Sequence, residues 1–187
     1  VWCLLLAPWL LSTGLASTDE TYTLDAAHSK AEFEFTHLGV STQNGRFDRV
    51  SGTVAFDPAH HRGSVHYEID TNSLNMRTGT EKPDAPGFRF FRVNLFPKIV
   101  FQSSELQFDG RGNVIAAEGK LTMLGVSHPV HLSVEHFGCG TSPVNGRHVC
   151  AADIHAVIRR SEFGLLDYMG AISDEVLVHI PVEAYRD

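Results

Sequence analysis

The chain has 187 residues, a length that suits one domain. Its 43% hydrophobic and 20% charged residues are those of an ordinary globular protein and exclude a disordered or fibrous chain. A net charge of -7 repels phosphate backbones and argues against nucleic acid as a partner.

Residues 1–16 carry no charge. They read as the hydrophobic part of a secretion signal, truncated at its start, with Cys3-Leu4-Leu5-Leu6-Ala7 and Trp9-Leu10-Leu11 ahead of a small-x-small cleavage pattern at Gly14-Leu15-Ala16. A membrane span is the weaker reading, because Pro8 and Ser12-Thr13-Gly14 break a short run. The expected division is therefore a signal peptide over 1–16 and one domain over 17–187, in a periplasmic or secreted protein.

Beyond that point the dominant signal is alternation with period two. Phe33 and Phe35 alternate with Glu32, Glu34 and Thr36; Val65, Tyr67 and Ile69 with His66, Glu68 and Asp70. The same pattern runs through Leu121 and Met123, Val130 to Val134, Ile154 to Ile158 and Val176 to Val182. Each stretch has one apolar and one wet face, the mark of a half-buried strand. Asn44-Gly45, Asp57-Pro58, Asp109-Gly110-Arg111-Gly112 and Pro143 to Gly146 read as turns. Strands are expected near 22–24, 30–37, 47–56, 63–70, 98–108, 113–123, 128–137, 149–158 and 175–183. Short connections imply antiparallel neighbours. The expected fold is all-β with minor α: an eight-stranded antiparallel barrel carrying a lid insert.

Two stretches break the pattern. Residues 71–97 hold no convincing strand, but combine Leu74, Met76, Phe88, Phe90, Phe91, Leu95 and Phe96 with Gly79, Pro83, Pro86 and Gly87. A long insert in a compact domain is usually functional, and its phenylalanines need cover, which one mouth of the barrel offers. Residues 159–173, with Phe163, Leu165, Leu166 and Tyr168, form a second irregular segment.

With Cys3 in the signal, Cys139 and Cys150 remain. If Pro143 to Gly146 is a four-residue loop, counting outward pairs Ser142 with Arg147, Thr141 with His148, Gly140 with Val149 and Cys139 with Cys150. A disulfide there stabilises by about 2–4 kcal/mol. Two reduced thiols, or a turn centred on Asn145-Gly146, are the alternatives.

Taken in order, several segments resemble the YceI-like family of periplasmic polyisoprenoid-binding proteins. They are Tyr22-Thr23-Leu24-Asp25, His28-Ser29, Phe33-Glu34-Phe35-Thr36-His37-Leu38-Gly39-Val40, Gly45-Arg46-Phe47 and Gly52-Thr53-Val54-Ala55-Phe56-Asp57. The resemblance continues through Phe96-Pro97-Lys98-Ile99-Val100-Phe101, Gly119 to Val130, Arg160-Ser161-Glu162-Phe163-Gly164 and Ser173-Asp174-Glu175-Val176. It departs at Asp84 to Val93, where Gly87 stands in place of a leucine and two prolines intrude, Pro86 within the stretch and Pro83 just before it. The resemblance implies a lipocalin-like barrel with a long interior pocket. It implies an isoprenoid, quinone or fatty-acid-derived lipid as ligand, and no cofactor.

From the shared phase of the strands, Phe33, Phe35, Phe56, Phe101, Leu121, Met123, Val134, Ile154, Ile158 and Val178 are expected to point inward as ligand contacts. Phe47, Leu74, Phe91, Phe96 and Phe163 complete the expected binding set. An eight-stranded barrel is just wide enough to fill with side chains or to hold one ligand, and for any single Phe a packed core is the blander explanation. Arg46, Arg159 and Arg160 are candidates for head-group contact, or simply rim charges. No nucleophile-elbow, phosphate-loop or dinucleotide motif is present, nor a zinc signature among the 11 histidines. Asp174-Glu175 reads as solvated charge at a strand start. The expected function is a non-enzymatic lipid holder without a metal. A membrane-associated redox partner and a homodimer are the protein partners considered. The alternatives are an enzyme on an isoprenoid or fatty amide in the same pocket, and a filled barrel acting in stress or electron transfer.

Overall fold

The structure, a computed structural model, describes residues 20–57, 60–76 and 86–187. The expected signal over 1–16, Pro58, and Gly79 and Pro83 of the insert lie outside the described residues.

The strands are β1 (Glu20–Leu24), β2 (Ala31–His37), β3 (Ser41–Phe47), β4 (Val50–Asp57), β5 (Arg62–Asp70), β6 (Leu74–Asn75), β7 (Lys98–Phe108), β8 (Val114–Met123), β9 (Val126–Thr141), β10 (His148–Arg159) and β11 (Glu175–Arg186). Among the described residues one α-helix, α1 (Pro86–Phe91), lies between β6 and β7. Every pairing is antiparallel, and β1 meets β11 to close the sheet.

Three pairs of these strands act as single bent ones. β1 and β2 both pair with β11, through Tyr22 opposite Arg186 at one end and Phe33 opposite Val178 at the other. Between them the chain kinks at the fully buried Ser29, whose Oγ accepts from the Glu183 amide at 3.1 Å. β3 and β4 continue each other, as do β5 and β6. The result is an eight-stranded up-and-down barrel, each strand beside its neighbours in sequence. Closing the sheet in this way removes its two edge strands.

One end carries the short connections 57–62, 109–113 and 142–147, together with both ends of the barrel-forming chain. The other carries the tight hairpins at Leu38-Gly39 and Leu124-Gly125, all four residues at positive φ, and the two long connections, 71–97 and 160–174. We call them the closed end and the mouth.

Two expectations need correction. Asn44-Gly45 is not a turn but the middle of β3. The turn is Leu38-Gly39, closed by the Val40 amide on the His37 carbonyl at 3.1 Å. Gly45 is present because the Phe33 ring crosses it: a Cβ there would stand 2.4 Å from Phe33 Cζ. The expected strand 47–56 accordingly divides into β3 and β4. The insert is also less irregular than expected, since it contains β6, paired with β3, and α1, which Pro86 opens with its fixed φ.

Three register shifts alter the inward phase near the closed end, two between β7 and β8 and one between β9 and β10. In β7, Gln102 pairs with Lys120 but Glu105 with Glu118, so β7 carries one extra residue. Ser103 stabilises it by donating to the Glu118 carbonyl at 2.6 Å and accepting from the Glu105 amide at 3.0 Å. In β9, the extra residue lies at His136, with φ of 51°. A bulge reverses which residues face inward. Leu106 and Phe108 of β7, and Phe137 of β9, thereby join Phe56, Tyr22 and Val134 in a separate apolar cluster.

Candidate functional site

The alternation of inward side chains leaves a cavity of about 420 Å³ between the mouth and the closed-end cluster. That lies within the range of small-molecule sites, about 300–1,000 Å³. Its wall includes ten of the residues expected there: Phe33, Phe35, Phe47, Phe91, Phe101, Leu121, Met123, Ile154, Ile158 and Val178. Five others fall elsewhere. Phe56 and Val134 belong to the closed-end cluster, where Phe108 stacks on Phe56 at 5.9 Å and Phe137 meets it edge-on at 5.8 Å. Leu74 is buried in the core beside the cavity. Phe96 covers Gly125, 3.1 Å from where a Cβ would lie. Phe163 is 1% exposed, with its ring edge against His128 at 5.3 Å.

The mouth is crossed by two segments. Thr71 pins the ends of the insert, its amide on the Pro97 carbonyl and its Oγ1 on the Phe96 carbonyl, both at 2.9 Å. Between them α1 lowers Phe90 and Phe91 onto the cavity, and Phe91 meets Phe47 edge-on at 5.3 Å. The second segment is folded by Arg160, which is 2% exposed. Its Nε donates to the Ser173 carbonyl at 2.8 Å, Nη2 to the Ile172 carbonyl at 2.9 Å, and Nη1 to the carbonyls of Asp167, at 2.9 Å, and Leu165. Four acceptors converge because the guanidinium presents five donors in one rigid fork. Burial pulls its pKa down, opposed by the nearby Asp174 and Asp167 charges. The same guanidinium lies 5.6 Å from the Phe90 ring centre, so it joins the two mouth segments.

Arg160 is therefore committed to the backbone. Arg46 bonds Asp48 at 2.6 Å, and Arg159 faces Glu175 at 3.6 Å across the outer surface. None of the three is gathered at a common head-group position. Asp174 is not merely solvated: it accepts from both the amide and the hydroxyl of Ser161 at 2.9 Å, which hold its carboxyl below the usual carboxylate range.

A second opening lies in the barrel wall. β9 pairs with β10 only from Ser133 opposite His155 outward, and residues 126–132 of β9 pair with β8 alone. Pro129, which lacks an N–H, fits a strand that is unpaired on one side. Phe163 fills the resulting cleft, and Val130, Ala156, Ile158 and Val178 line both it and the cavity.

Several site residues were not singled out from sequence. Phe90, Ile172 and Leu165 come from the irregular segments, which carry no phase. Tyr67 did have a signal, the alternation with Val65 and Ile69. It is 8% exposed, lines the cavity, and its Oη is the one buried side-chain polar atom without a partner among the described residues. Burial alone drives its pKa well above the ordinary tyrosine range, so it stays a protonated donor. An unsatisfied buried hydroxyl costs about 1–3 kcal/mol. Among the described residues, one trio, Asp25, His28 and Glu183, brings possible metal-ligand atoms within 4.8 Å. It is accounted for without an ion, since Asp25 accepts from the Ala27 amide at 2.9 Å and bonds His28 Nδ1 at 2.7 Å.

The hairpin residues pair as Thr141 with His148, Gly140 with Val149 and Cys139 with Cys150, and the two sulfurs are bonded at 2.01 Å.

A closed barrel with an apolar interior, plugged at one end and lidded at the other, defines a class of protein built to surround a ligand. The YceI-like domain family matches residues 22–184, and the chain belongs to that family. A UPF0312 protein of Pectobacterium atrosepticum is 30% identical over 179 residues, covering 95% of this chain and 92% of that one. A UPF0312 protein of Enterobacter sp. matches equally, at 30% over 179 residues with the same coverage of 95% and 92%. Among solved structures, Burkholderia cenocepacia BcnA superposes with a TM-score of 0.66 at 24% identity, covering 86% of this chain and 98% of that one. A polyisoprenoid binding domain from Saccharophagus degradans, implicated in plant cell wall breakdown, gives 0.63 at 17%, covering 89% and 98%. These structures share the fold.

Proposed function

We propose that the protein holds one long apolar lipid, of the isoprenoid, quinone or fatty-acid-derived class, inside its barrel, as a carrier, buffer or scavenger in the periplasm and without catalysis. The observation that carries this is the cavity itself. An apolar cavity of about 420 Å³ leaves the side chains around it without packing partners on one side, contacts that a ligand can supply. A lipid chain recovers about 0.8 kcal/mol per buried CH₂, so a greasy wall suffices for useful affinity. The solved polyisoprenoid binding domain supports the isoprenoid class. The disulfide between Cys139 and Cys150 supports an oxidising compartment, in line with the signal-like residues 1–16. Among the described residues, no helix is long and apolar enough to cross a membrane.

Native mass spectrometry of the protein purified from its own host tests the proposal. The expected result is a mass increment that dissociates as a lipid, on a chain cleaved after Ala16 and two hydrogen atoms lighter than the reduced form. A chain that carries no lipid and takes up neither a polyprenol nor a prenylquinone on incubation would sink it.

A further inference from the structure

Only a few side chains of the cavity wall are polar. Glu32 faces His179 at 3.6 Å on the outer surface. Gln43 is exposed, Tyr168 is 64% exposed at the mouth, and four carbonyls engage Arg160. That leaves Tyr67 alone at depth. It stands in mid-strand, opposite Gly52 on one side and Phe101 on the other. Val65 separates it from the closed end and Ile69 from the mouth, and both line the same wall. Its hydroxyl has no partner among the described residues, although buried polar groups in native proteins nearly always have one.

We infer that Tyr67 is an internal hydrogen-bonding anchor for an uncharged oxygen of the ligand, such as a quinone carbonyl, a phenol, an alcohol or an amide. This deepens the lipid-holding reading and rests on it. The chemistry at that depth selects the group. A neutral acceptor satisfies the phenol and is itself cheap to bury. A phosphate or carboxylate would be stripped of water among Ile69, Phe101 and Leu121, and the one arginine of the wall, Arg160, is already committed to four backbone carbonyls, so its burial there is strongly unfavourable. The ligand therefore enters with its neutral polar end toward mid-barrel, or carries an oxygen along its chain at that position. Lipids whose only polar group is a phosphate or diphosphate bind with that group outside the mouth and leave Tyr67 unused.

The test compares two probes in the full chain and in Tyr67→Phe. One is a short-chain prenylated benzoquinone and the other an isoprenoid hydrocarbon of similar length. Calorimetric titration of the wild type should detect both. Tyr67→Phe, which removes one oxygen and keeps the ring, should weaken the quinone about five- to tenfold, the worth of one hydrogen bond, and leave the hydrocarbon within about twofold. The infrared carbonyl band of the bound quinone should lie lower in the wild type than in the variant. Equal loss for both probes, or no loss for either, with an unshifted carbonyl band, overturns the anchor while leaving the lipid-holding reading standing. Wild-type protein that binds neither probe overturns that reading and the anchor with it. A urea unfolding midpoint in Tyr67→Phe at or above the wild type is also expected, since the variant removes an unsatisfied group.

Discussion

The closed end and the mouth are built from the same eight strands, yet one is packed shut and the other encloses space. At the closed end the connections are short, and a trio of phenylalanine rings fills the bore. Tyr22 is 2% exposed there, donates to Glu20 Oε2 at 2.7 Å, and has its pKa pushed up to about 12, first by burial and then by that bond. The disulfide clamps the adjoining hairpin. At the mouth two of the connections are long, and the apolar residues of its loops are only partly covered. Leu38, Val40, Leu95, Leu166 and Tyr168 are each more than half exposed. The difference lies less in composition than in phase. The bulges at Ser103 and His136 turn Phe108 and Phe137 inward at one end, and among the described residues no bulge does the same at the other. Closed-end interactions should therefore stabilise the fold, and mouth interactions should govern the ligand.

The strongest test of that division sets Phe56→Ala against Phe91→Ala. Phe56→Ala removes the ring on which both Phe108 and Phe137 pack, and should cost about 3–5 kcal/mol in urea unfolding with lipid retention by the folded fraction unchanged. Phe91→Ala lies on a six-residue helix and should cost less stability but release lipid faster. Equal destabilisation by the two would show one cooperative unit and break the comparison.

Removal of the disulfide sharpens it further. Replacing both Cys139 and Cys150 with Ala should destabilise by about 2–4 kcal/mol. The accompanying loss of hydrogen-exchange protection should stay in the β9–β10 hairpin, while lipid addition should raise protection at 71–76 and 86–97. Protection at the insert that is indifferent to lipid would refute its role as a lid.

The smallest effect is acidic. Hydrogen bonds from Ser161 lower the pKa of Asp174, so its contribution is present above the unfolded carboxylate value, about 3.9, and is lost as pH falls through the lower folded value. Since Asp174 ties the Arg160 turn to β11, lipid release should quicken modestly in that window. Asp174→Asn should already release faster at neutral pH and show less acid dependence. An unchanged pH profile in Asp174→Asn counts against Asp174 as the group responsible.

Much of this was legible in the residues themselves. Alternation in β5, β8, β10 and β11 is a local property, because successive side chains on a strand must point to opposite faces. The register of the Cys139–Cys150 hairpin followed from counting outward from Pro143 to Gly146, since a tight turn leaves the pairing little freedom. Other features depend on what lies across the sheet. Asn44-Gly45 has the composition of a turn, and only the Phe33 ring lying over Gly45 makes it a strand. Phase is local but its reversal is not: an extra residue at Ser103 or His136 is a bulge only relative to the partner strand, so the roles of Phe56, Phe108 and Phe137 could not be told from spacing. Arg160 shows the same limit in charge. A lone arginine after a strand reads as a rim cation, and only the return of 165–173 over it supplies the four carbonyls that make its burial affordable. Short-range periodicity thus determined that a barrel forms and which faces are apolar. Tertiary contacts decided where it is filled, where it is hollow, and that, among the described residues, one buried tyrosine hydroxyl of the cavity wall is left without a partner.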